Sequence, residues 1–101
     1  MICVQLFLPL TRRDSLRRRR RLIADVQREL TDEFGGVTAF INAPAEGAWR
    51  KAQRTVRDEI IVIEVMVKHL HRAWWKRYKR ELERRFVQDV IVVRAIRMEM
   101  L

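Results

Sequence analysis

Three polar residues interrupt runs that are otherwise apolar and strand-like. Gln5 lies in I-C-V-Q-L-F-L, Glu64 in E-I-I-V-I-E-V-M-V, and Arg94 directly after V-I-V-V. A strand sends alternate side chains to opposite faces, so each of these groups shares a face with the apolar residues two positions away. A carboxylate, a carboxamide and a guanidinium on one sheet face can satisfy one another as a structural cluster at a subunit interface, since buried charges need partners. They can equally orient a small polar ligand in a largely apolar pocket. The sequence leaves both readings open.

Other chemistry is thinner. His69 and His71 are two apart, about 200° around a helix, so they do not chelate one ion from one face. No HExxH or CxxC spacing accompanies them, so no metal site is expected. Cys3 is the single cysteine and reads as a small core hydrophobe. Ser15 is a helix-cap candidate, and the only glycines, Gly35, Gly36 and Gly47, form no phosphate-binding loop. No cofactor is implied. Catalysis by a small dimeric α+β barrel enzyme would have to rest on Gln5, Glu64 and Arg94 alone. Trp49, after Gly47, is placed either to touch a ligand or second subunit or to lid the end of the core.

The charge is strongly positive, net +9 with a pI near 11.2, which points toward anionic partners. It comes from two stretches. Arg12, Arg13 and the run 17–21 set seven arginines against Asp14, and residues 68–85 set eight cations against Glu81 and Glu83. Arginines at a helix N-terminus oppose the helix dipole. Arg17, Arg18, Arg20 and Arg21 are therefore either a solvated face or an anion-binding patch for RNA, DNA or an acidic protein. Arg19 falls on the core stripe and must snorkel outward. Nucleic acid is the less favoured partner, because the helix-free sheet face lacks the aromatic pattern of sequence-specific RNA readers.

The elements that must position these residues follow from periodicity. Residues 2–10 alternate as a strand that Pro9 limits. Asp14 or Ser15 caps a helix with Leu16, Ile23, Val26, Leu30 and Phe34 on its inner stripe, stopped at Gly35-Gly36. Residues 37–43 form a second strand, and Asn42, Pro44 and Gly47 mark a bend. Trp49-Arg50 and Thr55-Val56 form a short hairpin into the central strand 59–67, whose two apolar faces must both be covered. A second helix spans about 69–86, with Leu70, Trp74, Tyr78, Leu82 and Phe86 at four-residue spacing. Of the adjacent Trp74 and Trp75, one is core and the other at its border. Residues 90–101 form the last strand.

The expectation is one α+β domain over residues 1–101, a ferredoxin-like β-α-β-β-α-β chain. Its four-stranded antiparallel sheet has the order 4-1-3-2, with both helices on one face and strands one and three parallel at the centre. Ile61, Ile63, Val65 and Val67 face the helices. An apolar sheet face opposite them is not left in water, so a homodimer packed through it is expected, with a small-molecule ligand between subunits as the finer reading. The single thiol argues for a reducing compartment. The opening apolar run is far short of the ~20 residues that span a bilayer, and its charges follow rather than precede it. A cytoplasmic protein without a membrane partner is expected.

The segments F-G-G-V-T-A-F, P-A-E-G-A-W, R-D-E-I-I-V-I-E-V-M-V, R-A-W-W and V-I-V-V-R-A, with M-I-C-V-Q at the start, resemble a group of small uncharacterised bacterial proteins of this length. The resemblance covers most of the chain. It implies a bacterial protein with a ferredoxin-like fold, and it carries no catalytic residues. It favours Gln5, Trp49, Arg57, Asp58, Glu64 and Arg94 as site candidates, on the helix-free face and its rim. The arginine run departs from the group, whose helix start is less basic.

Overall fold

The computed structural model describes the backbone of residues 1–11, 13–36, 38–51 and 54–101, and the side chains of those outside 38–58. The elements are β1 (Ile2–Leu10), α1 (Leu16–Phe34), β2 (Thr38–Lys51), β3 (Arg54–Val67), α2 (Arg72–Arg85) and β4 (Val92–Arg97). The strands form one sheet in the order β2-β3-β1-β4, and every pairing is antiparallel. Ser15 caps α1, its Oγ accepting from the Arg18 N–H at 3.1 Å. Gly35 ends the helix at φ 83, where its N–H donates to the Thr31 carbonyl, the left-handed closure that glycine adopts without strain.

One face of the sheet is the core. Val4, Leu6 and Leu8 of β1 and Ile61, Ile63 and Val65 of β3 lie against Leu22, Ile23, Val26 and Leu30 of α1 and Trp75 and Leu82 of α2. The inner stripe of α1 is rotated from the expected one. Leu16 is 54% exposed and Leu22 takes a core position. Arg19 does lie over the core edge and reaches outward, Nη1 standing 3.6 Å from a Glu59 carboxylate oxygen. Phe34, Trp74, Trp75 and Tyr78 clasp the two helices together, with Phe34 stacked on Trp75 at 5.0 Å and Trp74 on Tyr78 at 4.9 Å.

The ferredoxin-like expectation requires correction. The central strands β1 and β3 are antiparallel, not parallel. One helical crossover followed by one hairpin reverses the chain an odd number of times between them. The separate strand, bend and short hairpin expected over 37–56 are two continuous 14-residue strands. The bend is a register shift within β2, between the pairs Phe40↔Val62 and Ala45↔Ile60. Pro44 lies in that shift, on an edge strand, where a missing N–H does not break the sheet. β1 stops pairing at Leu10↔Glu59, whereas β2 and β3 continue to Lys51↔Arg54. The sheet thus extends as a two-stranded ribbon past the layered body, which a compact split β-α-β unit does not have. β4 is also shorter than expected, starting at Val92 opposite Phe7.

Two features outside the core carry their own predictions. Val87 follows α2 at φ 51 and is 80% exposed. A β-branched residue is strained in this left-handed region, so Val87→Gly should raise stability by about 1 kcal/mol, the relief exceeding glycine's extra chain entropy. Thermal unfolding checks this, and a lowered Tm would refute it.

Between the helices, Glu29 accepts from the Tyr78 hydroxyl at 2.8 Å and from Arg85 Nη1 at 2.6 Å. Burial pushes the Glu29 carboxyl up, but the bonds from Arg85 and Tyr78 and the charges of Arg85 and Arg28 outweigh it and hold the group below the usual range. A depressed folded-state pKa stabilises above the unfolded value and is lost as pH falls through the folded one. Denaturant unfolding from about pH 5 downward should therefore show a flatter acid limb for Glu29→Gln than for the parent.

Candidate functional site

Gln5 is the Cα partner of both Glu64 on β3 and Arg94 on β4. The central position of β1 therefore sets the carboxamide between a carboxylate and a guanidinium. The Gln5 side chain donates through Nε2 to Glu64 Oε2 at 2.7 Å. Its Oε1 accepts from Arg94 Nε, also at 2.7 Å. The guanidinium carbon of Arg94 lies 4.9 Å from the centre of the Phe7 ring, close enough for a cation–π contact. Cys3 completes the row. Its thiol is pushed up by burial, by the charge of Glu64 and by a hydrogen bond to that carboxylate, so it is a protonated neighbour rather than a nucleophile.

Around this line the face is apolar and open. Met66 is 47% exposed, Val92 52% and Ile96 42%. The cluster presents the Nη groups of Arg94, which make no hydrogen bond among the described residues, beside the Glu64 carboxylate. That pairing of donor and acceptor suits a small molecule bearing both kinds of group. The Gln5–Glu64–Arg94 line is thus assembled where the strand parity puts it. Phe7 was not among the expected site residues, although its spacing two positions from Gln5 put it on the same face.

Trp49 and Arg57 have side chains outside the described residues. Their backbones pair with Val56 and Ala48 in the ribbon. Arg17, Arg18, Arg20 and Arg21 lie exposed on the first turns of α1. Among them, Arg18 pairs with Asp14 at 3.1 Å. His69 and His71 are exposed, and His71 precedes α2 without a side-chain capping bond.

A cleft lies toward the helices at the β4 edge of the sheet, with Arg94 and Ala95 also bordering it. It is an open groove of about 240 Å³ between α2 and β4, with Val4, Trp75 and Val93 lining it and Arg72 and Lys76 among its polar residues. Sequence periodicity marks these as core and helix-surface positions and gives no sign of a groove between them. No group of three His, Cys, Asp or Glu side chains that could hold a metal ion occurs among the described residues. No helix among them is long and apolar enough to cross a membrane.

The sequence matches no protein-family model and no curated protein. The fold has solved counterparts. A divalent cation tolerance protein (CutA1) from Thermus thermophilus aligns over 99% of this chain and 86% of its own, with 14% identity and a TM-score of 0.57. A PII-like protein CutA from Nostoc aligns over 98% and 82%, with 13% identity and a TM-score of 0.58. A phage SAM lyase aligns over 99% and 91%, with 13% identity and a TM-score of 0.54. At these identities the likeness is one of fold. The chain is a small α+β protein with a CutA1- and PII-like fold, and this completes the correction of the ferredoxin-like expectation. Neighbours as different as a divalent cation tolerance protein and a SAM lyase share the fold, so the fold does not select one function.

Proposed function

We propose that this protein self-associates, as a homodimer packed through its helix-free sheet face, and that the Gln5–Glu64–Arg94 line binds a small polar ligand between the two copies. The observation that carries the reading is the bridged charge pair at the middle of a face whose large apolar residues stand in water. An exposed, contiguous apolar surface rimmed by polar groups marks an interaction site. The reading is extended to a bacterial, cytoplasmic setting on the strength of the sequence resemblance and the single thiol.

Light scattering on the eluting protein tests the assembly. The parent chain should elute as a dimer, and Ile96→Lys, at an exposed position, should elute as a folded monomer. A parent chain that is monomeric at micromolar concentrations would sink the reading. Glu64→Gln keeps the size and most bonds of the cluster but removes its charge. It should leave the dimer folded while weakening capture of small molecules that carry a cationic or donor group, read by thermal-shift screening of the two proteins side by side.

A further inference from the structure

The arginines of α1 are left over from the fold. Arg19 is used by it, lying toward Glu59 at 3.6 Å, and Arg18 is held by Asp14. Arg13, Arg17, Arg20 and Arg21 are exposed, and among the described residues no carboxylate lies within ion-pair distance of them. The first turn of α1 carries no acidic residue, so nothing there offsets the clash between these cations and the helix dipole. In the last turns of α2, comparably basic in sequence, most cations are paired: Lys79 with Glu83, Arg84 with Glu81, and Arg85 with Glu29 and Glu81, while Arg80 and, earlier on the helix, Arg72, Lys76 and Arg77 are exposed without an ion pair among the described residues.

Placement adds to composition. The Arg19–Glu59 contact ties the start of α1 to the end of the sheet where β1 stops, at the pair Leu10↔Glu59. The ribbon leaves the body at that same end, and Arg50, Lys51, Arg54 and Arg57 occupy paired positions along it. Arg17 and Arg21 are one helical turn apart, and Arg20 lies beside them, so the unpaired cations form a row rather than a point. A row of unpaired guanidinium groups fits a linear array of anions, each able to accept a forked pair of hydrogen bonds.

We propose that the start of α1 is a binding surface for the phosphodiester backbone of a nucleic acid, without sequence preference. Guanidinium–phosphate contacts release condensed counterions, so the signature is a salt slope. With four or so phosphates neutralised, log K for a single strand should fall with log[salt] at a slope of about −3, a loss of roughly fifty-fold between about 50 and 200 mM salt.

The test is fluorescence anisotropy with an oligothymidylate and an oligouridylate of about 16 nucleotides, and with a duplex of the same length. The Arg17→Gln/Arg20→Gln/Arg21→Gln chain should bind with a slope reduced by about two units, and its Tm should be unchanged or raised, since cations that oppose the helix dipole have been removed. A matched control, Lys76→Gln/Arg77→Gln/Arg80→Gln on α2, alters the net charge equally and should leave the slope near the parent's. Equal binding by DNA and RNA single strands supports backbone recognition, and preference for the duplex supports the same chemistry on paired strands. Absence of binding at low salt, an unchanged slope in the α1 variant, or equal loss in the α2 control overturns the proposal. So does tighter binding of an acidic peptide or of anionic lipid vesicles than of any oligonucleotide.

Discussion

Arg94→Leu should destabilise the assembled protein by about 3–5 kcal/mol if the helix-free face is covered as proposed, because Glu64 then stays charged on that face without its cationic partner. The guanidinium now reaches Gln5 at 2.7 Å and lies over Phe7, and both contacts go with it. Replacing Gln5, Glu64 and Arg94 together by leucine should recover most of the loss, since an apolar row needs no partners and the neighbouring Val62, Met66, Val92 and Ile96 are already apolar. Denaturant unfolding at two protein concentrations separates the cases. If Arg94→Leu costs under about 1 kcal/mol, the cluster behaves as an exposed surface pair, and the covered-face reading is lost.

Trp75→Ala should cost about 3–5 kcal/mol, and Trp74→Ala well under half of that. The two residues are neighbours in sequence, but Trp75 is 5% exposed and stacks on Phe34, with ring planes 5° apart. Trp74 meets Phe34 edge-on and borders Tyr78 at the surface between the helices. Truncating Trp75 opens a cavity under both helices, whereas truncating Trp74 removes contacts that the Phe34 ring and solvent can partly replace. Equal losses would mean that the cluster acts as one unit, and that the burial difference does not govern its energetics.

How much of this was legible in the sequence depends on the range of the cause. The helix cap at Asp14 or Ser15, the stop at Gly35 and the alternation of β1 are set by neighbouring residues and read directly, and the structure resolves the cap to Ser15. The line from Glu64 through Gln5 to Arg94 also read directly, because each residue breaks an apolar run and strand parity leaves it only one face. The Trp49↔Val56 and Arg50↔Thr55 pairs were likewise visible. The length of the ribbon was not. Asn42, Pro44 and Gly47 carry strong turn signals, and the shift between Phe40↔Val62 and Ala45↔Ile60 absorbs the extra residues within a continuous strand. Leu16 has helix-core spacing but lies exposed in the first turn, so its burial depended on where the core ends. The cleft between α2 and β4 depends on the packing of elements far apart in the chain, which no local pattern encodes.

The position of β1 also bears on the order of folding. Gln5 is bonded to one residue 59 positions later and to another 89 positions later, so β1 is completed only after β3 and β4 have been made. Closing loops of that length costs entropy before any contact repays it, and such topologies fold slowly. Until β3 and β4 arrive, an apolar strand has both edges open, the state in which chains pair wrongly with one another. A chain ended before Val92 would keep one of those edges permanently open, and it should lose cooperative unfolding although both helices and most of the core remain encoded.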